Sequence, residues 1–173
     1  MKKNNPLVTI VLGSTSDWKV MEKAAQMLDD FKVPFEIQAL SAHRTPEAVV
    51  EYIKTIEEKG AKVIIAGAGL AAHLPGVIAS HTTLPVIGVP VSSSISLNGW
   101  DAVLSILQMP PGIPVATVGL DNAMNAAILA LQILALTDDD IRQRVVEYKS
   151  SLKNKIIKAN ETFKEISFEH KVN

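Results

Sequence analysis

The chain contains no cysteine, and that absence removes disulfides, thiolate nucleophiles and cysteine-based zinc sites together. It also lacks an excess of either charge, with 17 Lys and Arg against 18 Asp and Glu. No basic stripe is available to neutralise a run of phosphates, so a nucleic-acid partner is not expected. The most apolar stretch, Ala123 to Leu136, is interrupted by Asn125 and Gln132 and is shorter than the ~20 residues that cross a bilayer. No membrane partner is expected. The opening Met-Lys-Lys-Asn-Asn-Pro leads into a short strand-like run, without the apolar core and small-residue cleavage site of a secretory signal, so a cytoplasmic location is expected. Neither Gly-x-x-x-x-Gly-Lys nor Gly-x-Ser-x-Gly occurs, and no His or carboxylate cluster has metal-ligand spacing. ATP-dependent, acyl-serine and metal chemistry all lose support, and no cofactor is expected.

Charge is scarce in one region above all. From Ala61 to Thr137 the only Asp, Glu, Lys or Arg are Lys62, Asp101 and Asp121. That is too few for an ordinary solvated surface, and a helix apolar on nearly every side at 123–136 calls for a covering neighbour. A homo-oligomer is expected, and sedimentation as a monomer at micromolar concentration would refute it. At 173 residues the chain suits one domain, spanning 1–173.

Strand and helix patterns alternate along the chain. Leu7 to Leu12 is a continuous apolar, β-rich run of the kind buried on both faces of a parallel sheet. From Asp17, the apolar positions Val20, Met21, Ala24, Met27, Leu28 and Phe31 recur at helical spacing. A second strand is expected at Pro34 to Leu40, then a helix with Thr45 as N-cap, Pro46 at its first position and a stop at Gly60. Further strands are expected at Lys62 to Ala66, Val86 to Val89 and Pro114 to Val118, and helices from Pro75, over Ala102 to Gln108, over the apolar stretch and from Thr137. The last is long and amphipathic, about 138–167, with Asp138, Asp139 and Asp140 suited to a helix N-terminus. This predicts an α/β fold of three αβα layers around a parallel five-stranded sheet.

In such a sheet, ligands bind where loops leave the carboxyl ends of the strands. Three loops on that edge carry chemistry. Gly13-Ser14-Thr15-Ser16-Asp17 follows the first strand and opens a helix; it is either a phosphate seat or a capping turn with Asp17 as N-cap. Ser41-Ala42-His43-Arg44-Thr45-Pro46 follows the second. An imidazole exchanges protons at cellular pH, and a neighbouring guanidinium grips phosphate or carboxylate in a two-pronged way. The plain reading of that loop is a polar helix cap. Gly67 to Gly76 follows the third strand and superficially matches a dinucleotide fingerprint. The next acid is Asp101, too distant to serve as the ribose-binding acid ~20 residues on, so a nicotinamide site is rejected. Its small residues allow close approach of a planar ligand, while His73 either reaches that ligand or satisfies the loop. His81 is assigned a helix-end or structural role, and His170, near the tail, none.

Gly13 to Trp18, Ser41 to Pro46, Ala66 to Gly76, Pro85 to Val91 and Gln108 to Pro110, taken together, resemble the PurE family, the N5-carboxyaminoimidazole ribonucleotide mutases of purine biosynthesis. The resemblance covers about residues 7–136. It implies a flavodoxin-like fold, an octamer with active sites at subunit contacts, and a reaction that moves a carboxylate from the exocyclic amine of an aminoimidazole ribonucleotide to ring carbon 4. By the same resemblance, Ser14 and Asp17 hold phosphate and ribose, His43 is the general acid/base, and Arg44 clamps an anion. Ser41 and His73 join the substrate-binding set. Animal-type carboxylases of the family, which use free carbon dioxide, carry Ser-Ala-His-Lys-Thr and a Gly-Arg-Ser-Asn segment. Arg44 and the Ala72-His73-Leu74-Pro75-Gly76 run side with the mutases. The chain departs from the family at Leu70, where many members have Gly, at Pro111, where Arg or Gly is common, and at 119–125, which is about two residues shorter.

Two readings from other classes remain as alternatives. A flavodoxin-like FMN carrier would stack its flavin on aromatics, of which the candidate loops offer Trp18 and Trp100. A phosphorylation-switch receiver needs an aspartate after the third strand, where Gly67 stands.

Overall fold

The structure is a computed structural model that describes residues 5–172. Its centre is a five-stranded sheet in the order β2-β1-β3-β4-β5, with every neighbouring pair parallel. The strands are β1 (Val8–Leu12), β2 (Phe35–Ala39), β3 (Val63–Gly69), β4 (Val86–Val91) and β5 (Ala116–Thr117). The helices are α1 (Trp18–Asp30), α2 (Pro46–Glu58), α3 (Leu74–Ala79), α4 (Trp100–Leu107), α5 (Ala123–Leu134) and α6 (Asp139–Glu165).

The two-residue period of the strands divides the core into two layers. Val8, Ile10 and Leu12 of β1, Val63 and Ile65 of β3, and Ile87 and Val89 of β4 pack on one side with Met21 and Leu28 of α1, Ala126 and Ala130 of α5, and Ile141 of α6. Val11, Ile64, Ala66 and Ala68 point the other way, onto Val49 and Ile53 of α2, Ile78 of α3 and Ile106 of α4. The continuous apolar runs seen in the sequence are therefore strands covered on both faces. Thr9 is the buried exception in β1. Its hydroxyl meets the Tyr52 hydroxyl at 2.5 Å, which donates to Glu36 at 2.6 Å, and Lys59 closes the group on Glu36 at 2.9 Å. Burial pushes the Tyr52 hydroxyl up, and the Glu36 carboxylate beside it adds to the shift.

Several expected boundaries move. β3 runs on through Gly67 and Gly69, so the front of the expected third loop is strand, because its pairing with β4 continues to Gly69↔Val91. β5 shrinks to two residues at the sheet edge. β2, also an edge strand, is exposed over its second half, where β1 pairs with it on one side only. α4 begins at Trp100 rather than Ala102. Thr45 precedes α2 but gives it no side-chain cap; its hydroxyl is engaged with the Ser41 backbone instead. α5 is buried along one face only, through Ala123, Ala126, Ala127, Ala130, Leu131 and Leu134, while Met124 remains exposed within this chain. α6 opens as expected, with the Asp138 carboxylate accepting from the Ile141 amide at 2.9 Å. Among the described residues no helix is long and apolar enough to cross a membrane.

Candidate active site

β1 lies between β2 and β3, so the chain leaves β1 in one direction and returns from β2 to the other side. That reversal opens a crevice above the carboxyl ends of β1 and β3. A cleft of about 460 Å³ occupies it, and Ser14, Asp17, Ser41, His43, Arg44 and His73 all contribute to its wall. All six residues expected from the sequence thus come together, from three loops. Ser16 and Ser93 also line the cleft and were missed. Ser93 belongs to a Ser92-Ser93-Ser94 run just past β4, and the carboxyl-end rule applied to the fourth strand would have found it.

The first loop is a tight turn rather than a direct entry into α1. Ser14 caps a single 3-10 turn over Thr15–Asp17, accepting from the Ser16 amide, while the Asp17 carboxylate accepts from the Ser14 amide at 3.0 Å. This reciprocal capping box makes the turn rigid. Asp17 stands at the N-cap position of α1 but forms no side-chain cap bond with that helix; of the two readings of this loop, the capping one is met in position only, and the side chain braces the turn before it. The residue is buried as a whole, while its carboxylate, in the cleft wall, is only partly so. Burial pushes its pKa up, and the Ser14 amide and Ser16 hydroxyl pull the other way. The turn is fastened to the sheet by the Gly13 amide, which donates to the Gly67 carbonyl at 3.0 Å.

In the second loop, the Ser41 hydroxyl accepts from the Arg44 backbone amide at 3.2 Å and from its Nε at 3.4 Å. A terminal nitrogen of Arg44 donates to the Gly13 carbonyl at 3.4 Å. The guanidinium therefore spans from the β2 loop to the β1 turn. Among the described residues the ion pairs are Lys59–Glu36 and Arg142–Asp139. Arg44 belongs to neither, so its positive charge is available to an anion.

His43 and His73, thirty positions apart in sequence, meet with Nε2 to Nδ1 at 2.8 Å and ring centroids 4.9 Å apart in an edge-on arrangement. One of those nitrogens donates and the other accepts, so each ring fixes the other's tautomer and, among the described residues, leaves its second nitrogen free. His73 is held by a short turn in which the Ala72 amide donates to the Leu70 carbonyl and the His73 amide to the Ala71 carbonyl, each at 2.8 Å. Leu70 at its start has φ +54°, a left-handed conformation that an L side chain adopts at a cost. His81 lies at the end of α3, its Nδ1 against Ser80 Oγ and the Val77 carbonyl, the helix-end role expected for it.

The AIR carboxylase family model matches residues 7–155. The chain belongs to the AIR carboxylase family. Within it, similarity extends to the N5-carboxyaminoimidazole ribonucleotide mutase of Pyrococcus horikoshii, 54% identical over 98% of this chain and 95% of that one. The Bacillus subtilis protein of the same name is 52% identical over 90% of this chain and 97% of its own. Among solved structures, Treponema denticola PurE superposes with a TM-score of 0.82 at 36% identity, covering 91% of this chain and 98% of that one. The parallel five-stranded sheet with helices on both faces is thus the fold of this family, and the long α6 is carried in addition to the sheet.

Proposed function

We propose that the chain converts N5-carboxyaminoimidazole ribonucleotide into its ring-carboxylated isomer in purine biosynthesis, as an intramolecular carboxyl-transferring mutase. The observation that carries this reading is the convergence of His43, Arg44, Ser14 and Asp17 in one cleft of a chain whose relatives bear that name at 54% and 52% identity. Arg44 and the 72–76 run favour it over the carboxylase that takes free carbon dioxide.

The site's parts match the steps. Ser14, at the 3-10 turn, and Arg44 hold the anionic nucleotide, with Ser41 setting the guanidinium's pose. Asp17, an acceptor pinned from behind by the Ser14 amide, accepts hydrogen bonds from the ribose hydroxyls. The N–carboxylate bond breaks to release carbon dioxide, and His43 gives the amine nitrogen a proton. Carbon 4 of the electron-rich ring then attacks the retained carbon dioxide, and His43 removes the proton from carbon 4. One proton is given and one recovered, the oxidation level is unchanged, and no second substrate is consumed. His73 orients the His43 imidazole through their 2.8 Å bond. Confinement of carbon dioxide beside the ring is the source of rate, since escape would turn a unimolecular step into a bimolecular one.

Residues 1–173 act as one catalytic domain, in the cytoplasm. The active form is a homo-octamer in which α6 packs on a neighbouring subunit. Supporting this, Ile95, Leu97, Trp100, Leu104 and Leu107 are all exposed in the single chain, Ile95 at 78% and Trp100 at 64%, and Ile156, Phe163 and Phe168 are exposed along and beyond α6. The deciding experiment supplies the N-carboxylated ribonucleotide without ATP or added metal and follows the ring-carboxylated product. Product formed only from the uncarboxylated nucleotide plus free carbon dioxide would overturn the mutase reading in favour of the carboxylase.

A further inference from the structure

The loop from Ser92 to Gly99, between β4 and α4, brings Ser93 into the cleft wall, and what holds that loop lies elsewhere in the chain. Asp121, just past β5, accepts from the Ser92 amide at 2.8 Å and from the Ser92 hydroxyl at 2.6 Å. Its own amide donates to the Pro90 carbonyl at 2.9 Å. These three bonds tie the carboxyl end of β4 to the segment after β5 where the strands' own pairing has already stopped at Gly88↔Thr117. Next to it, Leu120 fits the far end of the same loop. A Cβ on Gly99 would come within 2.5 Å of the Leu120 side chain, so only a glycine there lets the leucine close on the loop. Residues 120 and 121 thus fasten both ends of the segment. Between them the loop is braced by its own hydroxyls, with Ser96 donating to the Ser93 carbonyl at 2.7 Å and accepting from the Gly99 amide at 3.1 Å.

Asp121 has φ +56°, a conformation tolerated by Asp and Asn better than by most residues. A strained backbone that aims one carboxylate at two donors of a cleft-lining loop is the kind of local cost retained where position matters. We propose that Asp121 is a positioning residue for substrate binding: through Ser92 it sets the β4–α4 loop, and with it Ser93, against the nucleotide. This rests on the mutase reading above. Asp121 does not line the cleft, so it acts on affinity rather than on the proton transfers at His43.

The test compares Asp121→Ala, Asp121→Asn and Ser92→Ala with the unaltered protein, using the N-carboxylated ribonucleotide and checking fold by circular dichroism. Asp121→Ala removes two hydrogen bonds to a charged acceptor and is expected to raise KM by about tenfold while kcat stays within about twofold. Asn retains an oxygen for the Ser92 amide and offers its NH2 to the Ser92 hydroxyl, so Asp121→Asn is expected to restore KM to within about threefold of the unaltered value. Ser92→Ala, which keeps the amide bond, is expected to fall between them, and it carries the test if Asp121→Ala does not fold. A kcat loss with KM unchanged overturns the proposal, as does an Asn variant as impaired as the Ala variant, or a Ser92→Ala variant with unaltered KM. If the unaltered protein does not turn the nucleotide over, the mutase reading itself has failed.

Discussion

Gly67 joins packing to the site, and adding one methyl there perturbs both. It lies near the end of β3, opposite Leu12 of β1 and Val89 of β4, and its carbonyl holds the Gly13 amide that leads into the 3-10 turn at Thr15–Asp17. A Cβ would stand 2.5 Å from Sδ and 2.9 Å from Cε and Cγ of Met21, against contact distances of about 3.5–4.0 Å. Met21 must therefore retreat by roughly 1 Å. Carried by α1, it is fully buried against the sheet, so its flexibility finds no free volume, and the overpacking should cost about 1–3 kcal/mol. For a chain of this length that is about 2–4 °C in Tm per kcal/mol. Met21→Ala alone should cost about 2–5 kcal/mol by opening a cavity. In that background the methyl added at position 67 enters the emptied space, and Gly67→Ala should become neutral or slightly stabilising. Urea unfolding of the four proteins, at one protein concentration because assembly adds to apparent stability, gives the coupling directly. A Gly67→Ala cost that is the same with Met21 present or absent would refute the reasoning.

His43→Asn should abolish turnover and leave the circular dichroism unchanged; retained turnover would remove His43 from the chemistry. Arg44→Lys keeps the charge but loses the fork that reaches both Ser41 and Gly13, and should raise KM by about tenfold, measured under steady-state conditions. Asp17→Asn should raise KM on a similar scale, about tenfold, through the lost carboxylate acceptor. Its effect on stability has the opposite sign. Because burial raises the native pKa of Asp17, the native state holds this proton more tightly than the unfolded chain does, and that contribution fades as pH rises through the raised native value. At pH 7 the buried charge costs stability, so the Asn variant should unfold at higher denaturant than the parent. That advantage should shrink as pH falls from the raised native value towards about 4, and be gone below it, where the unfolded carboxyl is also protonated. Leu70→Gly should stabilise by about 0.5–1 kcal/mol: relief of a left-handed leucine is worth about 1–2 kcal/mol, offset by about 0.5–1 kcal/mol of added chain entropy. Thermal unfolding checks it.

Much of the fold was legible because its signals are local. The apolar runs at 7–12 and 62–66, the helical spacing from Val20 to Phe31, and Pro46 at the head of α2 each depend only on neighbours a few residues away. The alternation of strand and helix then leaves one sheet type and the carboxyl-end rule selects the loops; within them the resemblance to the PurE family singles out Ser14, Asp17, Ser41, His43, Arg44 and His73. The absence of cysteine and the balance of charges narrowed the chemistry by composition alone.

What the tertiary structure decided depends on partners distant in sequence. The length of β3 was set by its pairing with β4, and the exposure of β2 by its place at the sheet edge. Whether Asp17 caps a helix or braces a turn depended on the Ser14 amide its carboxylate accepts from and on the Gly13 amide held by the Gly67 carbonyl of β3. No spacing rule brings His43 and His73 into a 2.8 Å contact, or Asp121 onto Ser92, because those distances arise only when the strands line up. Two of the three departures from the family gained meaning the same way: Leu70 and the shortened segment at Asp121 both sit at positive φ, a backbone state that side-chain identity influences but the packed loops impose.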